Sequence, residues 1–496
     1  MKPSSTRGQL AYLSVNELQS GYRQKSISPN DVVEAVLGRV EAFDGAVKAF
    51  ARVDRKGALL AAEASARRWQ AGAPIGPLDG IPATVKDLLW MAGERAGFGS
   101  RVMNMTAPAT EDAPAVARLK EAGAIIIGTT HSPEIGWKAV TDAPAFGVTR
   151  NPWNSERTPG GSSGGAAVAA ALGMGVLHIG TDGGGSIRIP AGFTGIAGHK
   201  PSFGRVPAYP SSAFGTVAHV GPMARTVDDL AAMLNVLVRP DVRDWFALPY
   251  DGADYLEGLN RGIAGLRIAY SPDLGYVDVH PEVARLVRRA AGVLEDLGAV
   301  VEEVNPGFDC PLDVFHKHWF SGALNRTRDL GAAETASLDP GLVEVVEEAR
   351  GFSLLDYMQA TDQRAALGRA MRRFHETYDL LITPTLPLPA FEAGREFPIE
   401  GGYRRWTEWA AFSYPFNLTQ QPAASLPCGF TGDGLPVGLQ IVGPMHQDAT
   451  VLRAAKAFET ACPPRFPDHV NPDRQERPEG ERNTSAPNAE IQEAPR

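Results

Sequence analysis

The sequence predicts an α/β fold, and three observations carry that reading. Short apolar runs of strand character alternate with helical patterns along most of the chain, and residues 115–127 read as a helix passing directly into a strand. No internal repeat and no break in composition divides the folded part. The 496 residues are 44% apolar and 21% charged, a globular composition with ample material for a core. Length alone admits one large unit or several smaller ones.

The elements follow in chain order. The first 75 or so residues read as helices: Ser14-Val15-Asn16-Glu17 has capping-box spacing, and Ser28-Pro29 places an N-cap before a proline at the first helical position. Residues 80–85 form a short buried strand that delivers Lys86 and Asp87 at its C-terminal end. A helix over 115–121 ends at Ala122-Gly123 and leads to an apolar strand of parallel-sheet type at 124–127. Further on, 266–270 and 300–304 are strands flanking an amphipathic helix at 281–297, and a long helix over 357–377 precedes a strand at 379–384. Gly432-Asp433-Gly434 between apolar runs marks a hairpin, and a helix closes the fold at 450–461. From about 471 to 496 the chain has almost no large apolar residue and reads as a disordered tail.

A net charge of −9 argues against a protein dominated by nucleic-acid or membrane-surface electrostatics. Cys310, Cys428 and Cys462 are far apart, form no CxxC and are odd in number, which fits a reducing compartment. No apolar run at the N-terminus has signal-peptide length, so a cytoplasmic location is expected. One uncharged stretch, 158–181, has the length of a membrane span. Its glycines argue instead for a loop feeding a buried alanine-rich helix.

That glycine-rich centre is the most informative part of the chain. Gly160-Gly161-Ser162-Ser163-Gly164-Gly165 is followed by Gly180-Thr181-Asp182-Gly183-Gly184-Gly185-Ser186. Glycines let successive amides converge on one point, and a serine closing such a run has its hydroxyl beside donors suited to a tetrahedral oxyanion. The pattern suggests acyl transfer, with a flexible turn as the plain alternative. A phosphate loop is excluded because no lysine follows the last glycine. A nucleophile elbow remains open, since both Ser162 and Ser163 sit in GxSxG. Its base would come from His316, His318, His375 or His446, none in a setting that marks it.

Taken together, Val85-Lys86-Asp87, the GGSSGG run, 180–191 and Gly198-His199-Lys200-Pro201-Ser202-Phe203-Gly204-Arg205 resemble the amidase signature family of serine hydrolases. The likeness extends to Thr149-Arg150-Asn151-Pro152-Trp153-Asn154, Pro415-Phe416-Asn417-Leu418-Thr419, Gln421-Pro422-Ala423 and 434–440, and so covers most of residues 10–465. The resemblance implies one large α/β domain over residues 1–470, with a mixed central sheet covered by helices on both faces. It also implies a Ser-Ser-Lys set: Lys86 as base, Ser162 as bridging serine in a cis peptide, and Ser186, 24 residues further on, as nucleophile. The amides of Gly183, Gly184, Gly185 and Ser186 would form the oxyanion hole, with Ser163, Asp182 and Arg188 in support.

The chemistry sets a condition. Lysine accepts a proton only when neutral, and lowering its pKa from ~10.4 to about 7.5 takes roughly 4 kcal/mol of differential stabilisation, for which burial is the source. No cofactor or metal is required, and the partner is a small amide or carbamate, with esterase or urethanase side activity and a homodimer left open.

Three positions depart from the family pattern: Thr129 where lysine is common, Gly183 where Thr, Ile or Val is usual, and His199 where an aliphatic residue is expected. Gly183 puts the stiffness of the oxyanion loop in question. Candidate pocket walls are 90–102 and the aromatic run Tyr403, Trp406, Trp409, Phe412, Tyr414 and Phe416. Two alternatives stand beside the hydrolase. One is the glutaminase subunit of a tRNA amidotransferase, in which Gln commonly stands where this chain has Ile189; the other is an inactive binding scaffold on the same fold.

Overall fold

The computed structural model describes residues 8–103 and 107–467, and the tail expected at 471–496 lies outside them. Two capped helices open the described chain. Ser14 caps α1 (Val15–Arg23) and Ser28 caps α2 (Pro29–Val47), each with the reciprocal carboxylate bond of a capping box, from Glu17 and Asp31. The opening is not wholly helical: β1 (Phe50–Val53) precedes α3 (Arg55–Gln70) and forms one edge of the sheet. Four residues at an edge are too few to show strand alternation in sequence.

Next come β2 (Pro82–Lys86), α4 (Pro114–Glu121) and β3 (Ile125–Thr130), with β3 parallel to β2 and antiparallel to β1. A two-stranded ribbon, β4 (Asp142–Ala143) and β5 (Gly147–Val148), leads to the glycine-rich centre. There the uncharged stretch resolves into α5 (Gly164–Ala171), every residue of it buried, and β6 (Leu177–Asp182), a strand that the sequence pattern does not separate from it. No helix among the described residues is long and apolar enough to cross a membrane.

After β6 the chain forms α6 (Arg188–Thr194), β7 (Ala197–Lys200), β8 (His219–Ala224) and α7 (Val227–Leu237). The expected strand-helix-strand unit follows as β9 (Arg267–Tyr270), α8 (Pro281–Asp296) and β10 (Val300–Glu303), and α9 (Leu312–Thr327) comes after it. The long helix starts three residues earlier than its periodicity suggests, at Leu354, because Ser353 and Asp356 cap it there. β11 (Leu380–Pro384) and the hairpin β12 (Ala423–Phe430) and β13 (Pro436–Val442) complete the sheet.

Eleven strands form one mixed sheet in the order β1-β3-β2-β6-β8-β7-β12-β13-β11-β9-β10, flanked by helices in a single α/β domain. β2 runs parallel to both β3 and β6, so the C-terminal ends of β2 and β6 lie side by side. Open α/β sheets bind ligands beyond such ends. Apolar side chains gather in two large clusters, one around α1, α2, α7 and α8, the other around α9 and the aromatics of 406–414. The cleft described below takes its walls from residues packed on both.

Candidate active site

Lys86 is the last residue of β2 and is fully buried. Its Nζ lies within hydrogen-bond distance of three hydroxyls: Ser162 Oγ at 2.7 Å, Ser163 Oγ at 2.9 Å and Thr181 Oγ1 at 2.9 Å. Burial pushes the ammonium well below its ordinary value, and the charge of Asp182 offsets this only in part. The two serines precede α5, and the peptide between Gly161 and Ser162 is cis. Thr181 comes from the end of β6. Sequence reasoning places it within a motif but gives it no role; its neighbour Asp182 is the only signal.

Ser186 ends the second glycine run, buried yet lining the same cleft as Ser162, Thr181 and Gly183. Its loop is held from both sides. The Ser163 N–H donates to the Ser186 carbonyl at 3.1 Å, and Ser163 Oγ donates to the Thr181 carbonyl at 3.2 Å. Asp182 and Arg188 pair as expected, with no exposure on either side chain, through Nε at 3.0 Å and Nη2 at 2.9 Å. Burial alone would raise the Asp182 carboxyl, but Arg188, Lys200 and Asn417 outweigh it and hold the group far below the usual range. Arg188 is completed by Ser413 O, Gln440 Oε1 and Asn417 Oδ1, so no buried charge is left unpaired.

One expected donor is already occupied. The Gly185 N–H donates to Asp182 Oδ1 at 2.8 Å and is not available to an oxyanion. The amides of Gly183, Gly184 and Ser186 meet no acceptor among the described residues. Gly183 also explains its own departure from the family pattern. A Cβ there would lie 2.6 Å from the Trp319 ring, so the indole fills the space that a side chain at this position would need. Trp319 is locked in turn by its N–H on the Trp137 carbonyl at 2.9 Å and by stacking on Phe214 at 3.8 Å. The loop is therefore braced from α9. His199, another of the three departures, meets the buried Asp448 at 3.2 Å.

The cleft holds about 530 Å³. Its aromatic lining is Trp90, Phe98, Phe203, Tyr209, Phe214, Phe246 and Trp319. Segment 90–102 contributes as expected. The run from 403 to 416 does not: Trp406, Trp409, Phe412, Tyr414 and Phe416 are core residues at most 2% exposed. A helix-turn segment rich in apolar aromatics is packed inside rather than offered to a ligand.

The elbow alternative finds no histidine on its serines among the described residues. His316 bonds Thr407, His375 meets the Tyr378 carbonyl, and burial lowers His316, His318 and His375 to about 4. None of these, nor His446, bonds Ser162, Ser163 or Ser186. His219 does line the cleft, but its Nδ1 faces the carbonyls of Val217 and Asp182.

Comparison with known proteins is consistent along the chain. A family model described as Amidase matches residues 31–452. An acylamidase of Rhodococcus erythropolis is 35% identical over 470 residues, 92% of this chain and 97% of that protein. A glutamyl-tRNA(Gln) amidotransferase subunit of Moorella thermoacetica is 35% identical over 476 residues, 91% of this chain and 97% of that one. The solved structure of a bacterial aryl acylamidase of the amidase signature family superposes with a TM-score of 0.86 at 30% identity, covering 91% of this chain and 96% of the other.

Proposed function

The chain belongs to the amidase family, whose members hydrolyse amide carbon–nitrogen bonds, and from that premise we propose that it cleaves its amide through an acyl-enzyme on Ser186 with Lys86 as the base. The observation that carries the reading is the buried Lys86 amine, 2.7 Å from the Ser162 hydroxyl, beneath a cleft that Ser162 and Ser186 share.

In the forward half-reaction Ser186 Oγ attacks the carbonyl carbon. Its proton passes to Ser162, whose own proton passes to neutral Lys86. The carbonyl oxygen becomes an anion facing the amides of Gly183, Gly184 and Ser186, a kind of contact worth about 2.7–4 kcal/mol per donor. As the tetrahedral intermediate collapses, the proton returns through Ser162 to the departing amine. Water then attacks the acyl-enzyme and gives a proton to Lys86 by the same relay; as this second tetrahedral intermediate collapses, that proton returns through Ser162 to Ser186 Oγ, and the acid leaves with Ser186 and neutral Lys86 restored. Ser163 and Thr181 position the lysine, and the Asp182–Arg188 pair fixes the loop.

The three cysteines are free thiols, which supports a reducing, cytoplasmic setting. The glutaminase-subunit reading rests on the 35% identity to the amidotransferase chain of Moorella thermoacetica. Ammonia release from glutamine that appears only on adding partner subunits would favour it over a stand-alone hydrolase.

The test is a panel of p-nitroanilides, primary amides, esters and carbamates on wild type, Ser186→Ala, Ser162→Ala and Lys86→Ala. Ser186→Ala should abolish turnover and leave no acyl-enzyme in intact-mass spectra. Acylation found on Ser163, with Ser186→Ala fully active, would overturn the assignment.

A further inference from the structure

Phe98 has a left-handed backbone, φ +53°, which a bulky side chain rarely adopts. Its surroundings enforce this. The Asp87 carboxylate accepts the N–H groups of Gly97 at 2.9 Å and Gly99 at 3.5 Å, the Asp87 carbonyl accepts that of Phe98 at 3.1 Å, and the Ile135 N–H donates to the Phe98 carbonyl at 2.7 Å. Strained residues held this firmly cluster at functional sites. The outcome here is an aromatic ring set into the cleft wall, and the Arg326 guanidinium lies over it, 5.1 Å from the centroid.

Arg326 stands in the last turn of α9 and lines the same cleft. The other charged lining residues are engaged. Arg328 meets Asp329 at 3.4 Å and donates to Asn325, while Asp244 accepts the amides of Ala208 at 2.8 Å and Phe246 at 2.9 Å. Arg326 has no hydrogen-bond or ion-pair partner among the described residues. Partial burial pushes it below the ordinary arginine value, and no carboxylate counters that. A guanidinium held over an aromatic ring and without a hydrogen-bond partner keeps its N–H donors free, and those donors match a carboxylate in bidentate fashion.

We propose that the Phe98–Arg326 stack is an anion-binding subsite of the cleft, and that the preferred amides carry a carboxylate remote from the bond that is cleaved. The inference rests on reading the cleft as the amide-hydrolysing site. It adds a recognition element that the serines and lysine do not supply.

Two substrate pairs test it, one for each side of the scissile bond: glutaryl against hexanoyl p-nitroanilide, and 4-acetamidobenzoate against 4-acetamidotoluene. Wild type should favour the charged member of at least one pair by about 10-fold or more in kcat/KM at low ionic strength. In Arg326→Gln the charged-to-neutral ratio should collapse to about one, and Arg326→Lys should fall between. Calorimetric binding of the same pairs to Ser186→Ala protein reads the subsite whether or not cleavage occurs. A wild type indifferent to charge in both pairs, or an Arg326→Gln enzyme that keeps the preference in rate and binding, overturns the subsite. Undiminished hydrolysis by Ser186→Ala instead overturns the mechanism and leaves the binding result to be read by itself.

Discussion

Among the described residues two lysines are fully buried, and only one of the two faces groups that can hand it a proton. Lys86 and Lys200 both lie without exposure, and burial drives both well below the ordinary lysine value. Their neighbours differ. Lys86 faces three hydroxyls, whereas Lys200 donates to the carbonyls of Pro201 and Gln421. A carbonyl only accepts, so it can hold an amine but never hand it a proton; a hydroxyl can do both. Desolvation makes a lysine neutral, and the chemistry of its partners decides whether neutrality is useful.

The sharpest way to break that contrast is to remove each amine. Lys86→Met should lose about 10²–10⁴-fold in amide turnover with its circular dichroism unchanged, while Lys200→Met should stay within roughly tenfold of wild type in rate and register chiefly as a changed melting temperature. Equal losses of activity would end the comparison.

Asp182 touches both sites, since its charge raises both lysines, and it is the partner of buried Arg188. Asp182→Asn leaves that guanidinium uncompensated and should cost about 3–5 kcal/mol of stability in denaturant titration.

A middle-sized effect comes from the brace. Gly183→Thr should lower kcat by about tenfold or more through collision with Trp319, at nearly unchanged KM. Adding Trp319→Ala should recover part of that loss, because the new side chain then occupies the vacated space. Absence of recovery would mean that the indole does not stand in for the missing side chain.

The smallest and most discriminating test is pH. Between the lowered folded value of each lysine and its ordinary value near 10.5, the unfolded chain binds more protons, so stability should rise with pH across that window. The rate should fall as pH drops through the folded value of Lys86. Lys200→Met should flatten the stability slope and leave the acid limb of kcat where it was. Thr181→Val, which replaces a hydroxyl beside Lys86 by a methyl, should move that limb to lower pH.

How far the sequence can be read differs between these regions for physical reasons. That Lys86 meets Ser162, and that Ser162 shares a cleft with Ser186, is legible because the motifs around them are contiguous and ordered. Thr181 lies inside a motif yet carries no mark of its role, since nothing local tells a hydroxyl on a lysine from one in a core. β6 escapes detection because it is buried, glycine-bearing and preceded by an alanine-rich helix, which erases the period-two signal. Most of the cleft aromatics escape it for a different reason. Phe203, Phe214, Phe246 and Trp319 come from well-separated segments, while the one run that looks like a wall, 403–416, is core. Segment 90–102, with Trp90 and Phe98, is the part of the cleft a local reading can find.

Lys86 and Asp87 are consecutive residues, one reaching the hydroxyls of Ser162, Ser163 and Thr181 and the other mooring the Phe98 segment. Because they share one strand end, the spacing between the buried amine and the Phe98 wall of the cleft is set by a single short piece of backbone.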